Sequence, residues 1–215
     1  MTETLIAVLD YGIGNLRSAQ KALQHVGADA RLTDDPGLIR EAAGVVLPGV
    51  GAFGRCMEAL RGSKLDVAAH EAVESGRPFL GICVGMQMLY DGSEETTGAK
   101  GLGILSGMVR LLPDNVKRPQ MQWNTLDIVR PTSMFDGLDD PAWVYFVHSY
   151  AADDGVNAVA ICDYGEPLCA AVERDNVFAT QFHPEKSGPN GLRLLSNFVA
   201  RATASVSGVA TEAAG

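Results

Sequence analysis

Cys83 lies between two glycines in the segment PFLGICVGMQML, residues 78–89. Gly81, Cys83 and Gly85 form a G-x-C-x-G pattern, the cysteine form of the nucleophile elbow, in which a strand turns sharply into a helix and presents the nucleophile above the sheet edge. A thiol in the first helical turn meets free N–H groups and the positive end of the helix dipole, which favour the thiolate. Free cysteine is also common in protein cores, so a nucleophile is predicted only if the chain supplies a base.

Three of the four histidines are weak candidates for that base. His25 and His70 lie in polar helical stretches and are interpreted as surface residues. His148, in the apolar strand YFVHSY, is either a core histidine with a satisfied ring or part of a pocket wall. The sequence does not decide between these two roles.

His183 is the stronger candidate because it ends the strand-like segment VFATQFHPEKS, where Pro184 stops regular pairing. Residues i and i+2 of an extended chain point the same way, so we expect Glu185 to orient the imidazole of His183 while that ring takes the proton of Cys83. A Cys-His-Glu arrangement is defined by these roles and not by its order in the chain. The alternative for Glu185 is a solvated loop carboxylate.

A glycine-rich segment, GVVLPGVGAFG, precedes both motifs. Its strand runs into residues 48–51, where Gly51 and the peptide at Val50 allow backbone N–H groups to approach a ligand. The N–H of Val84 is a second candidate donor to an oxyanion formed on a carbonyl attacked by Cys83. In a parallel sheet both lie at the carboxyl ends of strands. An ordinary strand-to-helix turn is the alternative for this segment.

The bulk composition limits the function classes. With 215 residues, of which 47% are hydrophobic, the chain can bury a sizeable core as one domain. A net charge of -9 repels phosphate backbones, so we expect a small molecule or a protein as ligand and no nucleic acid. The four cysteines form no CxxC pair, which predicts reduced thiols and a cytoplasmic location. The pattern suggests no metal, no cofactor, no export signal and no membrane span.

The order of the predicted elements indicates an α/β fold. Residues 5–9, 28–33, 44–49 and 78–83 read as strands with helical patterns between them, which implies a mainly parallel sheet with flanking helices. Beyond about residue 100, short strand-like segments joined by turns predict antiparallel or mixed strands, followed by a helix over residues 191–202. We therefore expect one domain over residues 1–203 and a disordered tail over 204–215.

Taken together, these motifs resemble a known family. LPGVGAFG, GICVGMQML and QFHPEKSG are similar to the triad class (class I) of glutamine amidotransferases, and DYGIGNLRS, MQWN and YFVHSY resemble the glutaminase subunits of imidazole glycerol phosphate synthase. The resemblance covers residues 5–200. It implies a flavodoxin-like fold in which Cys83 attacks the side-chain amide of L-glutamine, His183 relays protons, and Glu185 holds His183. It places Gln87, His148, Ser149 and Tyr150 at the substrate, and Val50, Gly51 and Val84 at the oxyanion.

The same resemblance implies a second protein. In that family, ammonia passes to a separate (β/α)8 cyclase subunit that makes imidazole glycerol phosphate and aminoimidazole carboxamide ribotide in histidine biosynthesis. A barrel of this kind needs roughly 250 residues in addition to the α/β domain, which is more than this chain contains. We therefore expect the barrel to be a separate subunit in a heterodimer. The resemblance places five residues at the interface: Asn15, Met121, Trp123, Tyr145 and Lys186. The chain departs from the family's P-H-M-G-W-N motif at Gln120 and Gln122.

Three other functions are compatible with parts of the pattern. Nucleotide binding would use the G-x-G of DYGIGNLRS, but Arg17 and Ser18 occupy the region of the third glycine. A stand-alone thiol hydrolase or peptidase needs only the elbow and a histidine, and predicts activity without a partner. A binding or scaffold protein predicts that Cys83→Ala changes no reaction.

Overall fold

The computed structural model of the protein describes residues 3–14 and 16–212, with side chains up to residue 205. The strands are β1 (Thr4–Leu9), β2 (Ala28–Thr33), β3 (Gly44–Gly49), β4 (Phe79–Cys83), β5 (Gly92–Ser93), β6 (Met108–Leu111), β7 (Gln120–Thr125), β8 (Asp127–Ile128), β9 (Trp143–His148), β10 (Tyr150–Ala152), β11 (Ala158–Asp163), β12 (Pro167–Arg174) and β13 (Val177–Thr180). The helices are α1 (Leu16–His25), α2 (Pro36–Glu41), α3 (Phe53–Gly62), α4 (Leu65–Glu74), α5 (Val84–Gln87) and α6 (Gly188–Glu212), with 3-10 turns at Ser133–Phe135 and Pro184–Lys186.

The central sheet has eight strands in the order β2-β1-β3-β4-β13-β12-β11-β8. The first five strands in this order are parallel, and the last three pair in antiparallel fashion. The parallel part has the flavodoxin-like order, with β13 in the place of the fifth strand. This arrangement confirms the predicted mainly parallel sheet with mixed strands from the second half of the chain.

The core follows from the composition of the central strands. β3 and β4 are buried along their whole length, as expected for parallel strands covered on both sides. Two groups of helices pack around the sheet: α1 contacts α6, while α4 contacts both α2 and α3. The buried apolar residues form one continuous cluster that includes residues from both halves of the chain. All four cysteines are buried, and none is in a disulfide.

Two smaller sheets come from the second half of the chain. β10, β6 and β5 form one, and β7 with β9 forms an antiparallel pair. In that pair Trp123 lies opposite Tyr145, and Gln120 lies opposite His148. Because side chains alternate along a strand, Val144, Phe146 and His148 of β9 are buried on one face, while the other face presents Trp123 and Trp143 to solvent.

The last helix is longer than the sequence pattern predicts. It begins at Gly188 and reaches Glu212, so it enters the region that we expected to be a disordered tail. Residues 213–215 lie outside the described residues, and the division at residue 203 stays a prediction. Within the described part of the chain, no helix combines the length and the apolar character that crossing a membrane requires.

Candidate active site

The nucleophile elbow is present at the end of β4. Cys83 has φ 55° and ψ -113°, a strained conformation for a residue with a side chain. A Cβ atom on Gly85 would lie 1.8 Å from the carbonyl oxygen of Leu47, so only glycine fits there. On Gly81 a Cβ would lie 3.1 Å from the backbone of Met86. The close contact between the elbow and β3 therefore requires glycine at residue 85.

The helix that follows Cys83 is shorter than the sequence suggests. α5 spans only Val84–Gln87. A one-turn helix has a much smaller dipole than a long one, so its effect on the thiol comes mainly from the nearby N–H groups. Val84 lies in the wall of the pocket, as predicted for an oxyanion donor.

His183 and Glu185 meet as predicted, but by a different geometry. β13 ends at Thr180, so His183 does not end the strand, and residues 184–186 form a 3-10 turn. The expectation that residues 183 and 185 lie in extended chain is therefore wrong, because Pro184 begins a helical turn instead. That turn brings Oε1 of Glu185 to 2.7 Å from Nδ1 of His183. The carboxylate fixes the orientation of the ring.

Strand β9 holds the loop that carries His183. The backbone N–H of His183 donates to the carbonyl of Tyr145 at 3.0 Å. In return, the N–H of Tyr145 donates to Oγ of Ser187 at 2.9 Å, and the Ser187 hydroxyl donates to the carbonyl of His183 at 2.7 Å. These three bonds position the base independently of its contact with Glu185.

The protonation of His183 is governed by burial and by its neighbours Cys83 and Glu185. Burial by itself disfavours the charged ring, but interactions with Cys83 and Glu185 outweigh burial and raise the pKa of His183 to about 9. Nε2 of the ring is buried and has no conventional hydrogen-bond partner among the described residues. Catalytic hydrogen bonds are commonly long before substrate binds. Nδ1 is thus committed to Glu185, and Nε2 is the ring nitrogen that remains free of such a bond.

His148 is a neutral histidine in the same pocket. Burial lowers the pKa of His148 to about 4 even though the ring bonds to the carbonyl of Tyr150. A carbonyl only accepts, so Nδ1 carries the proton and donates at 2.9 Å. Nε2 is therefore a bare acceptor, buried and without a partner among the described residues. His148 combines the two roles that the sequence left open, since one ring nitrogen is satisfied internally while the ring lines the pocket.

The side chain of Gln87 is held by an amide network. Its Nε2 donates to the carbonyl of Tyr150 at 2.9 Å and to Oε1 of Gln181 at 3.0 Å. Both amide hydrogens are used by these two bonds, so the oxygen of Gln87 is the atom available to a ligand. Gln181 was not predicted from the sequence.

Buried donors fix two carbonyls of the glycine-rich segment. The hydroxyl of Tyr11 donates to the carbonyl of Pro48 at 2.7 Å, and the thiol of Cys56 donates to the carbonyl of Val50 at 3.4 Å. Burial raises the pKa of Tyr11, so this hydroxyl keeps its proton. Since the N–H of a trans peptide points opposite to its C=O, the N–H of Gly51 is directed away from Cys56. Val50 and Gly51 both line the pocket.

The pocket around Cys83 has a volume of about 400 Å³. Glu185 lies behind His183 and outside the wall, whereas every other predicted catalytic, oxyanion and substrate residue lines it. The lining residues are Val50, Gly51, Cys83, Val84, Gln87, Glu95, Pro119, Val147, His148, Ser149, Tyr150, His183 and Lys186.

Glu95 is a lining residue that sequence reasoning missed. It lies in an irregular turn after β5, where neither strand nor helix periodicity marks it. Its Oε2 accepts the backbone N–H of Phe53, the first residue of α3, at 2.7 Å. One carboxylate oxygen is thereby anchored, which directs a fixed negative charge at the pocket.

The predicted interface residues lie on one side of the molecule, except for Asn15, which falls outside the described residues. Met121 is 61% exposed and Trp123 is 48% exposed. The ring of Trp123 meets that of Tyr145 edge-on at 6.0 Å. Lys186 is exposed at the pocket wall. The exposed aromatic face and the pocket are therefore neighbours.

The two departures at residues 120 and 122 have different surroundings. Gln122 is exposed on β7. Gln120 is fully buried beside Cys162, and neither polar atom of its side chain has a conventional hydrogen bond within the described residues. Nothing in the structure explains why an amide occupies this position.

Comparison with known proteins gives a consistent result. The family model described as "Glutamine amidotransferase class-I" matches residues 7–202. The chain is 50% identical over 203 residues to "Imidazole glycerol phosphate synthase subunit HisH" of Syntrophotalea carbinolica, covering 90% of this chain and 98% of that protein. It is 48% identical over 203 residues to the protein of the same name from Acinetobacter baylyi, with 91% and 98% covered.

Solved structures support the fold. The "Structure of PurLQS from Thermotoga maritima" is similar with a TM-score of 0.71 at 21% identity, covering 93% of this chain and 99% of that chain. At this identity the likeness concerns the fold alone, whereas the sequence relatives are close over nearly their whole length. The chain therefore belongs to the class-I glutamine amidotransferase family, and within it to the HisH subunits of imidazole glycerol phosphate synthase.

Proposed function

We propose that Cys83, His183 and Glu185 hydrolyse L-glutamine in this protein, which is the glutaminase subunit of an imidazole glycerol phosphate synthase in histidine biosynthesis. The observation that carries the site assignment is the meeting of a strained cysteine, a carboxylate-bound histidine and an amide-lined pocket at one sheet edge. The pocket volume of about 400 Å³ is ample for one amino acid.

The reaction proceeds in two acyl-transfer steps. The sulfur of Cys83 attacks the side-chain carbonyl carbon of glutamine, and its proton is held by Nε2 of His183. The tetrahedral intermediate collapses when that proton is delivered to the leaving nitrogen, which releases ammonia and leaves a glutamyl thioester. A water molecule then attacks the thioester, His183 takes its proton and returns it to the sulfur, and glutamate leaves. Glu185 keeps the ring aligned throughout.

Backbone donors stabilise the negative charge that develops on the carbonyl oxygen. Val84 and the peptides of Val50 and Gly51 flank Cys83 in the pocket, which supports them as oxyanion donors. The family resemblance adds that the peptide at Val50 reorients when the synthase is activated, so this donor is part of a gate.

Substrate recognition follows from the charges and hydrogen-bonding atoms of the wall. Glu95 supplies an anchored carboxylate for the α-ammonium group of glutamine. Gln87 offers only its oxygen, so it accepts a hydrogen bond from an N–H of the substrate. His148, Ser149 and Tyr150 also line the wall.

The ammonia is used by a partner. A separate (β/α)8 cyclase subunit receives it, and the exposed face formed by Met121, Trp123 and Tyr145, together with Lys186, supports docking beside the pocket. Asn15 belongs to the same proposed interface. Four unpaired cysteines support a cytoplasmic location for the complex.

The test measures glutaminase activity of the chain alone, with the cyclase subunit of the same organism, and with that subunit plus its nucleotide substrate. We expect low activity alone and a large rise in the complete mixture. Cys83→Ala should lower turnover by roughly 10⁴-fold or more while leaving partner binding intact. Strong turnover by the isolated chain, or activity of Cys83→Ala, would contradict the proposal and favour a stand-alone hydrolase or another nucleophile.

A further inference from the structure

We propose that Gln181 is a catalytic residue of this site, because its side-chain amide donates a hydrogen bond to the Cys83 sulfur and stabilises the thiolate. The inference rests on the proposed glutaminase function. It adds a donor from the residue directly after β13, the strand beside the elbow, to the Cys-His-Glu group.

The sheet register places Gln181 next to the nucleophile. β13 runs parallel to β4, with Thr180 opposite Ile82. The residues that follow on the two strands are Gln181 and Cys83, so their proximity is built into the sheet. Gln181 is fully buried, and its backbone N–H donates to the carbonyl of Ala170 at 2.9 Å.

Chemistry fixes which end of the Gln181 amide faces the sulfur. The carbonyl of Tyr150 can only accept, so the atom of Gln87 that contacts it must be Nε2. The same Nε2 contacts the amide of Gln181, which must therefore present its oxygen there. The nitrogen of Gln181 is left on the other side, 3.7 Å from the sulfur of Cys83. The assignment follows from which atoms can donate and which can only accept, so it does not rely on the near-identical shapes of the two ends of a glutamine amide.

The contact favours the thiolate over the thiol. A protonated Cys83 can donate to the carbonyl of Val147 at 4.0 Å, and that acceptor offers nothing to an anionic sulfur. The N–H of Gln181 does the reverse, since a donor binds a charged acceptor more strongly than a neutral one. Gln181 thus stabilises the reactive form and links it, through Gln87, to the substrate side of the pocket.

The test compares the reactivity of Cys83 towards iodoacetamide as a function of pH, read by mass spectrometry of the Cys83 peptide. The variant Gln181→Met keeps the length of the side chain but has no donor. We expect the pH of half-maximal alkylation to rise by about one to two units, and kcat/KM for glutamine in the complex to fall roughly ten- to a hundredfold. The titratable groups that face Cys83 from the elements around it are unchanged in the variant: His183, Tyr11, Cys56, His148, Glu95, Tyr150 and Lys186.

Two further variants separate catalysis from packing. Gln181→Leu also has no donor, so we expect the same upward shift; it serves where Gln181→Met fails to fold. Gln120→Met replaces another fully buried glutamine and should leave the alkylation profile unchanged. A folded Gln181 variant with the native profile would overturn the proposal. Because alkylation needs no glutamine, this result is independent of whether the protein is a glutaminase.

Discussion

At the scale of single residues, the chemistry could be predicted from the sequence wherever a side chain had a motif around it. Cys83 was marked by its two glycines and His183 by the proline after it, and the structure brings the two side chains together with Glu185. Glu95 has no motif around it, and Gln181, although it opens the segment QFHPEKSG, has no spacing to another residue that indicates a role. Both act through contacts between segments distant in the chain, and one sequence contains no signal for such contacts.

The Glu185–His183 pair predicts a pH dependence of stability. His183 has a pKa of about 9 in the folded chain, above the roughly 6.5 expected when unfolded, so its contribution is fully present below about pH 6.5 and is lost as the pH rises through 9. In Glu185→Gln the neutral amide no longer favours the charged ring. We expect Glu185→Gln to lower the free energy of unfolding, relative to the unchanged protein, more at pH 6.5 than at pH 10, as measured by urea titration.

Glu173, a partly buried carboxylate that pairs with Arg201 far from the ring, supplies the matched control. Arginine stays charged across this range, so Glu173→Gln should cost about the same at both pH values. Equal losses for Glu185→Gln at the two pH values would show that the carboxylate does not hold the proton on His183.

At the scale of elements, the strands could be predicted from the sequence, whereas the conformations of the segments that connect them could not. Buried parallel strands such as β3 and β4 leave long apolar runs, so the sheet was predictable. Residues 184–186 were expected to be extended but form a 3-10 turn. Pro184 can either end a strand or occupy the first position of a helical turn. Local propensity alone does not choose between these two outcomes.

The elbow predicts a large cost for one added methyl group. Gly85→Ala would place Cβ 1.8 Å from the carbonyl oxygen of Leu47, so α5 must move away from β3. We expect the free energy of unfolding to fall by about 2–3 kcal/mol, and the glutaminase activity of the complex to fall with the displaced Cys83. Gly62→Ala, in α3, has open space around the new carbon and should be neutral or slightly stabilising. Equal stabilities of the two variants would contradict the steric argument.

At the scale of the whole molecule, the family resemblance predicted a protein partner, and the exposed aromatic face is the surface that we propose for it. Trp123→Ala should weaken binding of the cyclase subunit about ten- to a hundredfold by calorimetry, since buried aromatic anchors dominate interfaces. The thermal midpoint of the isolated chain should change little. Val67→Ala, an exposed apolar residue on α4, is the control and should bind normally. Unchanged affinity of the Trp123 variant would place the interface elsewhere.

The position of β13 between β4 and β12 has a consequence for biosynthesis of the protein. Cys83 leaves the ribosome early, but its base and its amide neighbour belong to a strand and turn near the end of the chain. Strands β2, β1, β3 and β4 can pair with one another before this segment is made, but β12 and β11 join them only through β13. A nascent chain that ends before β13 therefore contains Cys83 but neither Gln181 nor His183.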